Sequence, residues 1–216
     1  MDKGQQKTLR VVQFNVENLF LFMELSNALK EPSDLTRLSE TQWQSLSLST
    51  VANKPLFKTV GIAKTLKALD PDVVFLNEVG GKESLDNFNR FFMDNAFESL
   101  LLEGNSERGI DVGYLVHPRL QSQNLLISHK NRVLPLEPPT DVNTEPPSTT
   151  LPGTLKPYFS RDCLELRLFK KGDHSPRLVC LNVHLKSKLD PDRVDLYGRK
   201  KRAAEVLGLL AIYDKL

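Results

Sequence analysis

The segment LVCLNVHLKSK, Leu178 to Lys188, sets a histidine and two lysines where an apolar strand pattern stops. Val179, Leu181, Val183 and Leu185 alternate with Cys180, Asn182, His184 and Lys186, the period of a half-buried strand. One face then reads as core, and the other carries Asn182, His184 and Lys186, a row able to bind an anion and move a proton. A polar sheet face with a hydrogen-bonded histidine would give the same row, so the segment needs company. In LRVVQFNVENLF, Leu9 to Phe20, an apolar start gives way after Phe14 to Asn15, Glu17 and Asn18. In DPDVVFLNEV, Asp70 to Val79, Asp-Pro ends the preceding helix. Val73 to Leu76 then reads as a strand covered on both faces. Asn77-Glu78 leads into Gly80-Gly81, where backbone can approach a ligand closely. A carboxylate leaving a buried strand into such a loop suits a hard cation, although a solvated strand-end glutamate would look alike.

FNVENLF, DPDVVFLNEV, RGIDVGYLV (Arg108 to Val116), YFSRDCLEL (Tyr158 to Leu166) and LNVHLKSK follow one another in this chain. In order and spacing they resemble successive motifs of the endonuclease/exonuclease/phosphatase superfamily. That superfamily includes pancreatic deoxyribonuclease, abasic-site endonucleases, inositol-polyphosphate 5-phosphatases and bacterial sphingomyelinases. The similarity runs from about residue 9 to the end of the chain, and FNVENLF and NVHLKSK most resemble a bacterial branch described as nucleases. The resemblance implies an α+β fold, a two-sheet β-sandwich with helices outside each sheet (four layers, α/β/β/α). Asn15, Glu78, Arg161 and His184 should gather at one end of it. It also implies hydrolysis of a phosphodiester with Mg²⁺, or Mn²⁺, held by Glu78, and with Asn15 beside it holding the ion or its water. His184 matches a catalytic histidine, and Arg161 an arginine that grips phosphate. Asn182 is a further catalytic candidate, and Lys186 and Asp111 are candidates on the substrate side. Asp111 could instead orient Arg108 or cap a turn. Glu17 departs from the basic or small residue common in the family and receives no role.

The superfamily pattern goes on to Gly-Asp-x-Asn and closes with Ser-Asp-His, and neither sequence occurs in the 216 residues. These would supply groups that contact the attacking water and the phosphate, an Asp-His pair and a metal ligand. The sequence-based expectation is therefore a single domain over residues 1–216, C-terminally incomplete by about a quarter and catalytically silent alone. Three functions compete: a nuclease, a lipid or inositol phosphate phosphatase or phosphodiesterase of the same fold, and a non-catalytic remnant. A nuclease needs basic residues along a backbone groove, and a lipid enzyme needs an apolar lip. The Pro-rich segment described below is not strongly apolar, which favours nucleic acid as partner over a phosphorylated lipid or inositol.

The elements that must position these groups are legible in outline. Ser39 and Gln42 have capping-box spacing before a short helix over 40–46, which carries Trp43. Helices are expected over 57–69, with Val60, Ala63, Leu66 and Leu69 inward, and over 84–95, with Leu85, Phe88, Phe91 and Phe92 inward. Strands are expected over 110–116 and 120–128. Residues 133–157 hold seven of the thirteen prolines and read as a long extended loop. A last helix over 193–216 should bury Ala203, Val206, Leu207, Leu210 and Ala211. Its basic residues Arg193, Arg199, Lys200, Lys201 and Arg202 form either a solvated face or a phosphate-holding cluster.

An apolar fraction of 40% and a charged fraction of 26% suit one globular domain, and roughly 70% of the unfolded surface is buried at this size. A net charge of +2 gives no global basic field, so any hold on a phosphodiester must come from local clusters such as Arg161, Lys186 and Lys188. The start MDKGQQK has no secretory pattern, and no run approaches the ~18 apolar residues of a membrane span. In the hairpin around 170–176, residues whose numbers sum to about 346 should face each other. This pairs Cys163 with Val183 and Cys180 with Leu166, too far apart for a disulfide. Free thiols and the polar start imply a cytoplasmic protein, monomeric at full length.

Overall fold

A computed structural model describes residues 8–23, 35–136, 155–188 and 195–216. The alternation in β1 (Val11–Leu19) turns Val12, Phe14 and Val16 toward the helices and leaves Val11, Gln13 and Asn15 exposed. Helix α1 (Glu40–Ser45) starts on the expected capping box, Ser39 N donating to Gln42 Oε1 at 2.9 Å and Gln42 N to Ser39 Oγ at 3.3 Å. It buries Trp43, whose indole N–H donates to Lys54 O at 2.9 Å. Helix α2 (Leu56–Leu69) stops at Asp70, left-handed at φ 46°, ahead of Pro71. Then follow β2 (Val73–Val79), α3 (Gly81–Phe92), β3 (Glu98–Leu101), β4 (Asp111–Val116), β5 (Ser122–Ser128), β6 (Cys163–Lys170), β7 (Leu178–Val183) and α4 (Arg199–Tyr213).

The strands form two sheets, β1-β2-β4-β3, with β1 parallel to β2 and the other pairs antiparallel, and antiparallel β5-β6-β7. Leu66, Leu85, Phe88 and Phe92 of α2 and α3 pack with Trp43 on Leu76 and Leu115 of the first sheet. Val73, Val112, Tyr114 and Val116 meet Leu164, Leu166, Leu168 and Cys180 between the sheets. There the Tyr114 hydroxyl reaches both Leu164 O (2.7 Å) and Cys180 O (3.1 Å). Ala204 and Ile212 of α4 pack with Leu134 and Phe159 on Cys163, outside the second sheet. The fold is thus α+β in four layers, helix, sheet, sheet, helix.

Cys163 pairs with Val183 and Leu166 with Cys180, the expected hairpin register, and both thiols are free and buried on opposite faces of the second sheet. Two expectations need correction, and one strand had no reading. The face of β7 that carries Cys180 and Asn182 is the inner one, and Leu181 and Val183 lie half-buried toward α4. The exposed side of α4 holds Val206, Leu207, Leu210 and Tyr213, while Lys201, Ala204, Glu205, Gly208 and Ile212 are buried. The helix is rotated from its apolar reading because Lys201 and Glu205 find polar partners in the loops beneath it. The four residues of β3 carry too little pattern to be read as a strand alone and are fixed by pairing with β4. Most of the Pro-rich loop, 137–154, lies outside the described residues; its flanks meet where Leu134 N donates to Pro157 O at 2.7 Å. No helix among the described residues is long and apolar enough to cross a membrane.

Candidate active site

Neighbouring strands β1 and β2 lose register at the same level, between Asn15 and Leu19 on one and, against β4, between Asn77 and Val79 on the other. Glu17 (φ 48°), Asn18 (φ 58°) and Glu78 (φ 66°) adopt the left-handed conformation there. For such residues this costs on the order of 1 kcal/mol each, and bulges of this kind re-aim side chains next to functional sites. The Asn15 side-chain amide donates to Glu78 Oε1 at 3.1 Å, and its oxygen accepts from Glu17 N at 2.9 Å. These two partners leave one sensible orientation of the amide, its donor end on the carboxylate.

His184 lies just past β7, its Nε2 3.7 Å from Glu78 Oε1. Its Nδ1 is buried with no hydrogen-bond partner among the described residues. Burial pushes the imidazole below its ordinary pKa, and Arg161 and Arg108 push the same way against Glu78 and Glu205. The ring is therefore neutral at pH 7. Arg161 sits in the turn before β6, largely buried, with its Nε unpartnered among the described residues and with Glu205, Glu78 and Asp111 as nearby anions. Arg108 donates to Asn18 Oδ1 at 2.9 Å, which brings a second guanidinium to the same edge.

The structure thus brings Asn15, Glu78, Arg161 and His184 together at one end of the sandwich. The other candidates serve differently. Asn182 is 1% exposed and donates to Leu76 O (3.1 Å) and Gly113 O (3.0 Å), tying β7 to the opposite sheet. Asp111 is buried and accepts from Gly104 N at 2.9 Å, so it caps the turn at Gly104 and does not orient Arg108. Asn105 N in that same turn donates to Arg161 O at 2.8 Å. Lys186 is half-buried, its backbone N–H bonded to Glu205 and its carbonyl to Arg202.

Three side chains at the site had no reading in the sequence. Lys54 donates to Glu17 O at 2.9 Å in the field of Glu78, and Lys58 pairs with the Glu17 carboxylate at 3.2 Å. Lys54 ends the stretch 22–54, which has little periodicity to mark it, and Lys58 lies on the exposed side of the helix expected over 57–69. Glu205 lay on the side of α4 that apolar patterning assigned to solvent.

Next to Arg161, Asp162 is 1% exposed and has Oδ2 without a partner among the described residues, while Oδ1 accepts from His129 N at 2.9 Å. Burial raises this carboxyl above its ordinary pKa, outweighing its hydrogen bonds from Ser128 and His129. The unfolded chain therefore releases the proton first as pH climbs. The stability tied to this group is present below the unfolded value near 3.8 and is lost as pH rises through the higher folded value. Asp162→Asn keeps the acceptor for His129 N and removes the buried charge. It should melt higher at pH 7 by roughly 2–4 °C, the equivalent of 1 kcal/mol in a chain of this size, and show no gain near pH 3. An unchanged melting temperature at pH 7 would contradict the burial argument.

No family model matches the chain, and no curated protein matches it. Among solved structures it is similar to a functionally unknown conserved protein from Enterococcus faecalis V583, at 12% identity and a TM-score of 0.45. The match covers 96% of this chain and 62% of that one, so the chain spans somewhat under two thirds of that protein's length.

Proposed function

We propose that this protein is a divalent-metal-dependent phosphodiester hydrolase acting on nucleic acid, built on the endonuclease/exonuclease/phosphatase plan. One observation carries the reading: a carboxylate, an amide, a guanidinium and a neutral imidazole from four separated segments converge where two strands bulge together. Mg²⁺ suits the donor set, since it needs only one or two carboxylates, with waters and substrate phosphate completing its octahedron. Glu78, partly open to solvent, would hold it. Asn15 would hold Glu78 through its amide N–H, and its oxygen, which accepts from Glu17 N, keeps a second lone pair for the ion or its water. Among the described residues no group of three or more His, Cys, Asp or Glu side chains could hold a metal ion, so binding should be loose. When bound, the ion supplies charge neutralisation at the phosphoryl oxygens and a more acidic water. Arg161 and Arg108 offer planar forks for the non-bridging oxygens. The neutral His184 can accept a proton or donate a hydrogen bond at Nε2. Cations from three segments, Arg108, Arg161 and the pair Lys54 and Lys58, favour a polyanionic backbone over a lipid surface.

Titration of the 216-residue chain with Mn²⁺, followed by electron paramagnetic resonance, should show binding weaker than about 0.1 mM. Glu78→Gln should abolish that binding. Submicromolar binding that survives Glu78→Gln would remove Glu78 from the metal site. The protein expressed from its complete gene should cleave plasmid DNA or single-stranded oligonucleotides with Mg²⁺ and not with EDTA. Cleavage of phosphoinositides or sphingomyelin instead would hand the site to the lipid reading.

A further inference from the structure

We propose that Glu205 is a positioning residue: its buried carboxylate clamps together the two loops that carry Arg161 and His184. The inference rests on the reading of those two residues as phosphate-handling groups. Glu205 is 0% exposed in the second turn of α4. Its Oε1 accepts from Ser160 N at 2.8 Å and its Oε2 from Lys186 N at 2.6 Å. Ser160 directly precedes Arg161, and Lys186 follows His184 by two residues. These loops enter β6 and leave β7 at the end where Cys163 pairs with Val183. One charged head group therefore sets the distance between the two loops through a pair of charge-assisted bonds.

The residue type is dictated by the partners. Both are N–H donors, so the clamp needs two acceptors on one head group, which a carboxylate has. A glutamine has one acceptor and would turn an NH₂ group on the other N–H. The rest of the helix start grips the same loops. Lys201, one turn earlier, donates to Lys156 O and Tyr158 O. Arg202 donates to Lys186 O at 3.1 Å. Gly198 lies so near Ser187 that a Cβ there would sit 2.4 Å from Ser187 O. Apolar burial alone would have turned Val206, Leu207 and Leu210 inward; α4 leaves them exposed and buries Lys201 and Glu205. Burying a carboxylate is costly unless it is fully bonded. Here both oxygens are bonded, and Arg161, His184 and Lys201 face the charge.

The test compares Glu205→Gln, Glu205→Asp and Ile212→Ala, the last loosening the packing of α4 on Phe159 and Cys163 without removing either hydrogen bond of the clamp. In the protein expressed from its complete gene, Glu205→Gln should lower kcat at least ~10-fold, as misplacement of reacting groups does, and should also raise KM as Arg161 loses its place on the phosphate. Glu205→Asp, shorter by one methylene, should recover part of the rate. Ile212→Ala should leave kcat alone even when its melting temperature falls as far. A kcat that merely tracks melting temperature across the three would overturn the proposal. A second arm needs neither turnover nor mutation. By NMR, the Ser160 and Lys186 amide protons of the unsubstituted chain should resonate downfield and exchange slowly. If either exchanges like an open-loop amide, the clamp is absent. Should the wild-type protein cleave no phosphodiester, the hydrolase reading falls while the two amides still decide the clamp.

Discussion

Replacing His184 with alanine should lower turnover by ~10²-fold or more, the usual effect of losing a group that moves a proton or polarises a phosphoryl oxygen. Three observations set this expectation. The ring is held neutral at pH 7 by burial, so it can accept a proton there. Its Nε2 points toward Glu78, where a metal-bound phosphate would sit. Its Nδ1 has no partner among the described residues, so truncation breaks no hydrogen bond on that side. Melting temperature should therefore change little, and lost activity would not report unfolding. KM should also change little, because Arg161 and Arg108 remain to hold the phosphate. The measurement is steady-state hydrolysis by the protein expressed from its complete gene, wild-type against His184→Ala. Near-normal turnover in the variant would leave His184 as a polar residue at a strand end, and the proton-transfer role would have to be given up.

Strand ends were the most legible part of the site in the sequence. A buried strand that ends in polar residues announces itself by a break in pattern, and β1, β2 and β7 all do so. The hairpin register around the cysteines was also readable, since two-residue alternation and a short turn leave few choices. The sequence could not show that β1 and β2 bulge together, because positive φ at Glu17, Asn18 and Glu78 follows from tertiary pairing. Nor could it orient α4. Patterning counts apolar side chains, and here two ionic side chains with backbone partners in distant loops decide which face is buried. The inner face of β7 was misjudged for the same reason. Asn182 looked like an outward group because its partners, Leu76 O and Gly113 O, lie 106 and 69 residues away in sequence.

Asn182 carries the largest stability effect expected here. Its amide is a polar link between β7 and the facing pair of strands, bonding one carbonyl on β2 and one on β4. Asn182→Leu conserves volume roughly but removes two buried hydrogen bonds to carbonyls of the first sheet, at ~0.5–1.5 kcal/mol each. Some of this is returned, because Asn182 Oδ1 is itself buried without a partner among the described residues. A net loss of about 2 kcal/mol follows, a drop of roughly 4–8 °C in melting temperature. Asn182→Asp should be worse at pH 7, since it turns a carboxylate on two acceptors in the sandwich interior. Burial would raise the pKa of that new carboxyl. The unfolded chain would then lose the proton first, and the deficit should grow as pH rises above the ordinary carboxylate range and shrink below it. Thermal unfolding of both variants at pH 4 and pH 7 checks the order and the sign. If Asn182→Leu keeps its melting temperature and loses only turnover, Asn182 acts on substrate and the inter-sheet bonds contribute little. If it loses both, part of the lost turnover is the displacement of His184, two residues along the same strand end.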